Sequence, residues 1–336
     1  MARRMAFEIG GRMVPPGRRE TVHLPMTAMP DHTPVALSVH VVHGAKAGPV
    51  IFVSAAVHGD EVVGVEIVRR LLRLPVLAGM AGTLLAVPIV NSFGFLDHSR
   101  YLPDRRDLNR SFPGSPRGSL AARLAHTFRT EILARATLGI DLHSAAIHRT
   151  NLPQIRVSPG QPEAQRLAES FAAPVMLTSK MRDGSLRAEA AKAGVTMLLF
   201  EGGEGLRADE GAVQAALAGI LRVMAALRMI PASAAPRARR ATIHCPRSEW
   251  LRAPGAGMIV LRAALGARVE AGQVLATVSD PFGEDEIDLV APRAGLILGR
   301  AQMPVVHEGD AVFHLADLPE GEEDTVADIP DEDEVI

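Results

Sequence analysis

The sequence contains very little cysteine and few aromatic residues. Cys245 is the single cysteine among 336 residues, and Phe, Trp and Tyr together make up 4%. One cysteine excludes an intrachain disulfide and a metal site built from several thiolates, so that any metal must be bound by nitrogen and oxygen ligands. No apolar run approaches the ~20 residues of a membrane helix, and Met1 to Met5 lack a hydrophobic signal segment. We therefore expect a cytoplasmic globular protein without a membrane partner.

The net charge of the whole chain is also close to zero, but the charged residues are unevenly distributed. The net charge is −2, and residues 317–336 include ten acidic and no basic residues. This segment is predicted to be a disordered acidic tail. The remaining body has an excess of about eight basic residues, which favours acidic substrates or has no functional meaning. Its arginines lack the interleaved aromatics of a nucleic-acid surface, so we expect no nucleic-acid partner.

The order of predicted elements indicates an α/β protein. Strands alternate with helices over residues 46–230, which predicts a catalytic domain with a mixed sheet covered on both faces. Residues 1–45 show the apolar–polar alternation of strands and are predicted to pack on this domain as an N-terminal β segment. Pro231 to Pro236 resembles a linker.

The region 240–316 is predicted to be a small all-β barrel or sandwich. A pattern that begins at Ala253 recurs at Ala291, and such a duplication is typical of two interlocked β units. The region resembles biotinyl or lipoyl carrier barrels, but residues 246–316 contain no lysine that could carry a cofactor. We therefore expect a structural or interfacial role.

A histidine and a glutamate lie where a buried strand is predicted to turn into a helix. The apolar run Val50 to Val57 stops at His58, and Asp60 is predicted to be the N-cap of an amphipathic helix. His58 and Glu61 thus lie at the kind of strand-to-helix corner where open α/β sheets bind ligands. Imidazole and carboxylate are both zinc ligands, so this pair predicts part of a metal site.

His143 is the most plausible third ligand. It ends the predicted strand 138–143, as His58 ends its own strand, and parallel neighbours would bring both to one sheet edge. Asp141 shares a face with His143 in a strand and could hold a histidine through its free ring nitrogen. A histidine at a strand end is, taken alone, more often a structural residue.

Glu201 closes another apolar strand and is followed by glycines. Near a metal it could act as a general base toward water. The alternative is a solvated strand end, and the nearby Glu204 competes for the same role.

The long loop 91–118 carries further polar side chains. Arg100, Asn109 and Arg110 are suited to bind a carboxylate or to stabilise an oxyanion. The alternative interpretation is a solvated loop with a turn at Pro113-Gly114. Loops of this length in a compact domain are usually functional or disordered.

Together these motifs resemble one enzyme family. His58-x-x-Glu61, Arg100-Tyr101, Asp107-Leu108-Asn109-Arg110, Asp141-Leu142-His143 and Glu201 occur in the order of the succinylglutamate desuccinylase/aspartoacylase family, which belongs to the zinc carboxypeptidase (M14-like) superfamily. The resemblance covers about residues 45–230. It implies a zinc-carboxypeptidase-like catalytic domain followed by a small β domain.

The resemblance also implies roles for single residues. One Zn²⁺ per chain would be bound by His58, Glu61 and His143. Glu201 would take a proton from the attacking water and later protonate the leaving amine, and Arg100 would stabilise the oxyanion. Asn109 and Arg110 would hold a substrate carboxylate. Arg187, like Arg182, is a candidate for acyl-group recognition or else a surface arginine.

The expected function is hydrolysis of the amide bond of a small N-acyl amino acid or related amine, by a chain that forms a homo-oligomer. A metallocarboxypeptidase that acts on peptide C-termini could use the same site. A non-catalytic binding or assembly protein on the same scaffold is the third alternative, which the intact set of candidate ligands disfavours.

Overall fold

The computed structural model describes residues 4–238 and 240–318. Most of the predicted acidic tail, residues 319–336, lies outside the described residues. Within the described ranges, no helix has both the length and the apolar character needed to cross a membrane.

The N-terminal region is built from strands, as its alternation predicts. These are β1 (Phe7–Ile9), β2 (Arg12–Val14), β3 (Arg18–Ala28) and β4 (Pro34–His43).

The next region alternates strands and helices. Its strands are β5 (Lys46–Ala55), β6 (Ala81–Val87), β7 (Leu138–His143), β8 (Arg149–Val157), β9 (Val175–Thr178) and β10 (Thr196–Glu204). Its helices are α1 (Val63–Leu72), α2 (Ser92–Leu96), α3 (Leu120–Glu131), α4 (Pro162–Phe171), α5 (Leu186–Lys192) and α6 (Glu210–Ala226). Short 3₁₀ turns occupy Pro75–Gly79, Leu108–Arg110, Leu133–Arg135 and Ala232–Ala234.

Between residues 240 and 318, the regular elements of the C-terminal region are all strands. They are β11 (Ile243–Cys245), β12 (Ser248–Arg252), β13 (Gly257–Leu261), β14 (Arg268–Val269), β15 (Val274–Ser279), β16 (Glu286–Val290), β17 (Gly295–Ala301), β18 (Val305–Val306) and β19 (Ala311–Ala316).

One mixed sheet forms the centre of the molecule, which confirms the predicted α/β fold class. Its strands follow the order β11-β9-β8-β10-β7-β5-β6-β4-β3, and the pairs β6–β5, β5–β7 and β7–β10 are parallel. The central strands are largely apolar because helices cover both faces, and their polar residues lie mainly toward the strand ends. Helices α1, α4 and α6 pack on one face, while α3, α5 and the β1–β2 hairpin pack on the other. The carboxyl ends of β5, β7 and β10 therefore lie side by side.

Helix α6 illustrates how local sequence sets these elements. Asp209 caps it by accepting a hydrogen bond from the backbone N–H of Ala212. Its buried positions recur every three or four residues, which turns one stripe toward the sheet; they include Ala212, Ala216, Ile220 and Val223.

Three local features differ from the sequence-based expectation. Asp60 does not cap α1, which begins at Val63 without a side-chain cap; Asp60 is buried instead. The loop 91–118 contains helix α2, which Asn91 caps by accepting from Gly94 N–H. Strand β8 is absent from the sequence-based prediction because Pro153 and several polar residues interrupt its apolar pattern.

The duplicated region consists of two interlocked units, as the repeat predicts. Strands β13–β15 form the first unit and β17–β19 the second. The short middle strand of each unit pairs with the first strand of the other, β14 with β17 and β18 with β13. Neither unit can complete its sheets alone, so the two fold as one body.

Strand β17 joins this β region to the catalytic sheet. Gly299 pairs with Asn151 and Arg300 with Thr150 of β8, beside the part of β8 that pairs with β10. Asp317, which the sequence analysis assigns to the tail, accepts hydrogen bonds from Arg247 and Arg293. Pairing with these two arginines holds Asp317 against the β region.

The domain boundaries at residues 45, 230 and 316 stay a prediction.

Candidate metal centre

The side chains of His58, Glu61 and His143 converge at the carboxyl ends of β5 and β7. One ligand atom from each lies within 4.8 Å of the others. Nδ1 of His58 lies 2.7 Å from Oε1 of Glu61, and Nδ1 of His143 lies 2.6 Å from Oε2. All three residues are buried. The structure thus brings together the three side chains that the sequence nominates as metal ligands.

Each histidine is held on its far side by a second carboxylate. Nε2 of His143 lies 2.8 Å from Oδ2 of Asp141, two residues earlier on β7. Nε2 of His58 lies 3.1 Å from Oδ1 of Asp107, in the long loop. Such contacts fix the ring orientation and leave Nδ1 of both rings directed at Glu61. This is the arrangement in which imidazoles are oriented toward a metal.

The electrostatics of the cluster favour a bound cation. Although burial opposes it, the charges of Asp141 and Glu61 raise the pKa of His143 well above its ordinary value. Glu61 and Asp107 likewise outweigh burial and raise the pKa of His58. Burial also opposes the shift at Glu61, yet His58 and His143 hold the pKa of that carboxyl below its usual range. Positive charge is therefore favoured between these groups.

The donor set fits a divalent metal. Two neutral imidazole nitrogens and one carboxylate are the protein ligands of one common type of catalytic zinc site, which keeps a further position open. The orienting carboxylates of Asp107 and Asp141 complete the surroundings that such ligands require. The residues present thus match a zinc-type centre in ligand chemistry, burial and charge.

Arg100 lies at the edge of the cluster. Its guanidinium donates from Nη1 to Oε1 of Glu61 at 3.3 Å and from Nη2 to Oδ2 of Asp107 at 3.0 Å. Burial opposes the shift, but the charges of these two carboxylates raise the pKa of Arg100. A permanent positive charge therefore adjoins the candidate metal centre.

Glu201 lies beside His143 on the neighbouring strand. The two residues are direct partners in the parallel β7–β10 ladder, so their side chains are on the same face of the sheet. Its carboxylate contacts two residues of β8: Asn151 donates to Oε2 at 3.0 Å, and Nη1 of Arg156 lies 3.2 Å from Oε1. Glu204, the competing candidate, accepts from the backbone N–H of His148.

Asn109 and Arg110 lie on the turn that follows Asp107. Oδ1 of Asn109 accepts from the N–H of Leu186 at 2.9 Å, which attaches the loop to the start of α5. The amide Nδ2 is the group left to donate to a ligand. Arg110 is exposed, and its side chain donates to the backbone oxygen of Asn109.

Arg187 lies on α5 and is largely shielded from solvent. Its guanidinium donates to Oγ of Ser179 and to the backbone oxygen of Lys180. Burial and then repulsion by Arg156 lower its pKa to about 10, while Glu201 acts in the opposite direction. The side chain of Arg187 is half-buried. Arg182 is exposed.

Sequence reasoning did not predict that Asp107, Asn151 and Arg156 contact the candidate site residues. Asp107 belonged to a noted motif but had no role assigned. Asn151 and Arg156 lie on β8, the strand that the apolar pattern did not reveal. The available signal was the short alternation Gln154-Ile155-Arg156-Val157, which puts the two polar side chains on one face of a strand.

Comparisons with known proteins identify the family that the chain resembles. A family model described as the succinylglutamate desuccinylase/aspartoacylase catalytic domain matches residues 47–227. A curated relative, the N-alpha-acetyl-L-2,4-diaminobutyric acid deacetylase of Halomonas elongata, is 25% identical over 285 residues, which cover 81% of this chain and 83% of the relative.

Solved structures are similar over nearly the whole chain. A succinylglutamate desuccinylase/aspartoacylase from Rhodobacter sphaeroides has a TM-score of 0.81 at 24% identity. The superposition covers 90% of this chain and 96% of the Rhodobacter sphaeroides chain. The product-bound ectoine utilization protein EutE (DoeB) of Ruegeria pomeroyi has a TM-score of 0.79 at 25% identity, with coverages of 88% and 95%. The fold, including the C-terminal β region, is thus shared with these proteins.

Proposed function

The chain belongs to the succinylglutamate desuccinylase/aspartoacylase family, and from this we propose that it is a zinc-dependent deacylase. It would hydrolyse the amide bond of a small N-acyl amino acid or a related N-acyl amine. The observation that carries the proposal is the convergence of His58, Glu61 and His143 next to Glu201. The name of the Halomonas elongata relative, a deacetylase of an acetylated diamino acid, supports this class of substrate.

The proposed metal ligands are His58, Glu61 and His143, with Asp107 and Asp141 orienting the two imidazoles. A zinc ion bound there would polarise the substrate carbonyl and lower the pKa of the attacking water to about 7.

Glu201 is proposed as the general base and acid. Its carboxylate accepts a proton from the attacking water and then donates that proton to the leaving nitrogen, which must be protonated before the amine can depart. Its place beside His143 in the ladder keeps it on the metal-facing side of the sheet. Proton transfer by a positioned side chain typically contributes about 10²–10⁴-fold to the rate.

Arginines and an amide are proposed to bind the rest of the substrate. Arg100 carries a permanent charge 3.3 Å from Glu61 and would stabilise the oxyanion that develops on the carbonyl oxygen. Nδ2 of Asn109 together with Arg110 would hold a substrate carboxylate, and Arg187 would take part in recognition of the acyl group. A homo-oligomer in the cytoplasm remains our expectation.

The proposal is tested by metal analysis followed by a substrate screen. The purified chain should contain about one zinc per chain, and with zinc added it should release free carboxylic acid from a panel of N-acetyl, N-succinyl and other N-acyl amino acids. Peptides with free C-termini serve as the comparison set. Hydrolysis of peptides alone would instead indicate a metallocarboxypeptidase. Absence of both zinc and hydrolysis after gentle purification would indicate a binding protein.

A further inference from the structure

Strand β8 carries an arginine, Arg156, that forms an ion pair with the proposed base Glu201. Nη1 of Arg156 lies 3.2 Å from Oε1 of Glu201, and the two side chains are 24% and 13% exposed. Arg156 pairs with Leu199 in the β8–β10 ladder, two positions before Glu201, and is therefore on the same face as Glu201 and His143. A base held in an ion pair is less available to take a proton from water.

The charges around this pair are unbalanced. A second arginine, Arg187, is close enough to interact with both members of the pair. Within residues 4–238 and 240–318, its guanidinium is repelled by Arg156 and Arg182 and attracted by Glu201. Repulsion by Arg156 adds to burial in lowering the pKa of Arg187. Cations that are removed from water are stable only with anionic partners. An additional anion between Arg156 and Arg187 would balance the local excess of positive charge.

The guanidinium of Arg156 also has capacity for a second partner. Its Nε is buried and has no hydrogen-bond partner in the part of the chain that the structure describes. Arginine offers five N–H donors in a planar fork that matches a carboxylate. The single contact between Nη1 and Glu201 leaves the bidentate geometry unused.

We propose that the substrate carboxylate held by Asn109 and Arg110 also binds Arg156 and displaces Glu201 from it. Before the substrate binds, Arg156 is paired with Glu201; in the complex Arg156 holds the substrate carboxylate, and Glu201 is released toward the water that attacks the amide. In an N-acyl amino acid the carboxylate carbon is two bonds from the amide nitrogen. A substrate with its amide at the candidate metal centre therefore presents this group to the surroundings of Glu201.

This exchange makes recognition of the carboxylate a condition for catalysis. A substrate without a carboxylate leaves Glu201 paired with Arg156, so its turnover is slow even if its amide reaches the metal. Arg156 is thus a specificity-determining residue of the proposed deacylase, and the inference rests on the proposed function.

The kinetic test compares two substrates that differ only in the carboxylate, Nα-acetyl-L-2,4-diaminobutyrate and N-acetyl-1,3-diaminopropane. The wild type should prefer the former. Arg156→Gln should lower kcat/KM for the carboxylate substrate about 100-fold or more and leave or raise that for the neutral one. Arg156→Lys should recover part of the loss, because it keeps the charge but not the bidentate geometry. Arg149→Gln, which removes a charge from the other end of β8, is the matched control and should keep the wild-type preference.

A binding measurement tests the exchange without turnover. Glu201→Gln removes the competitor for Arg156, so calorimetric titration should show that L-2,4-diaminobutyrate binds about tenfold more tightly to Glu201→Gln than to the wild type. In the Arg156→Gln background the same change should bring little gain, since the competition no longer exists.

The outcomes separate this inference from the proposed function. If the wild type hydrolyses no N-acyl compound, the proposed function fails. If it hydrolyses the pair but Arg156→Gln lowers both rates equally, Arg156 only positions Glu201 and the exchange is wrong. An equal gain in amino-acid affinity from Glu201→Gln in both backgrounds would also overturn it.

Discussion

Oδ1 of Asp107 lies 3.1 Å from Nε2 of His58, on the side of the imidazole opposite Glu61. The two residues are 49 positions apart in sequence, and the contact closes the long loop over the end of β5. The same carboxylate accepts from Arg100 and from the backbone N–H of Asn109. Asp107 thus connects the orientation of a candidate metal ligand to the proposed substrate-binding loop.

Replacing Asp107 by Asn should weaken metal binding. A neutral amide polarises and orients the imidazole of His58 less well, and loss of such a partner typically costs about 10–100-fold in metal affinity. Competition with a chromophoric chelator measures this affinity without reference to turnover. Asp104→Asn, a change in the same loop at a side chain that accepts from Arg106 N–H, is the control and should retain the wild-type affinity. Equal affinities in Asp107→Asn and the control would refute the orienting role.

Replacing Glu201 by Gln should strongly reduce turnover but leave metal binding intact. The amide has nearly the same shape as the carboxylate but cannot accept the proton of the attacking water, so we expect kcat to fall by about 10²–10⁴-fold. Zinc content, measured by emission spectroscopy, should remain near that of the wild type. Glu204→Gln, three residues later on β10, should stay active. Normal hydrolysis by Glu201→Gln would assign the base to another residue.

Replacing Gly59 by Ala should destabilise the corner that carries His58. A Cβ on Gly59 would lie 1.9 Å from the carbonyl carbon of Gly94 and 2.2 Å from the backbone N of Phe95. Helix α2 would have to move, at a cost of about 1–3 kcal/mol in the free energy of unfolding. Chemical denaturation measures this change. At Gly79 an added Cβ has nothing within 4 Å, so Gly79→Ala should stay within about 0.5 kcal/mol of the wild type. Similar losses in both variants would argue against the close approach of Gly59 to α2.

Replacing His314 by Phe should make the protein more resistant to acid. Burial, and then the charge of Arg156, lower the pKa of His314 to about 3, whereas in the unfolded chain a histidine titrates near 6.5. Between these values only the unfolded state binds the proton, so this residue costs about 1.4 kcal/mol of stability per pH unit as pH falls. Phenylalanine cannot titrate and preserves a ring that can stack on Trp250, as His314 does.

The measurement is the free energy of unfolding from pH 7 to pH 4.5 for the wild type and His314→Phe. The stability of the variant should fall less steeply over this range. His244→Gln, a change at an exposed histidine of β11, should follow the wild-type curve. Parallel curves for all three proteins would show that His314 is protonated in the folded state.

Local sequence was sufficient to predict most of the fold. The apolar runs that end at Val57 and His143 correspond to β5 and β7, and the repeat at Ala253 and Ala291 corresponds to interlocked β units. Periodicity and apolar runs determine these elements because burial of a strand or a helix face depends on residues close in sequence. Strand β8 was not predicted because Pro153 and the polar side chains of Gln154 and Arg156 interrupt its apolar pattern.

The sequence by itself also determined the candidate metal donors, since His143 ends an apolar strand and His58 and Glu61 follow the end of another. Only the tertiary structure decided which side chains surround them. Asp107 reaches His58, and Arg156 reaches Glu201, through the closure of a loop and the order of strands in the sheet. Pairings between such distant residues follow from the packing of whole elements, and no local pattern encodes them.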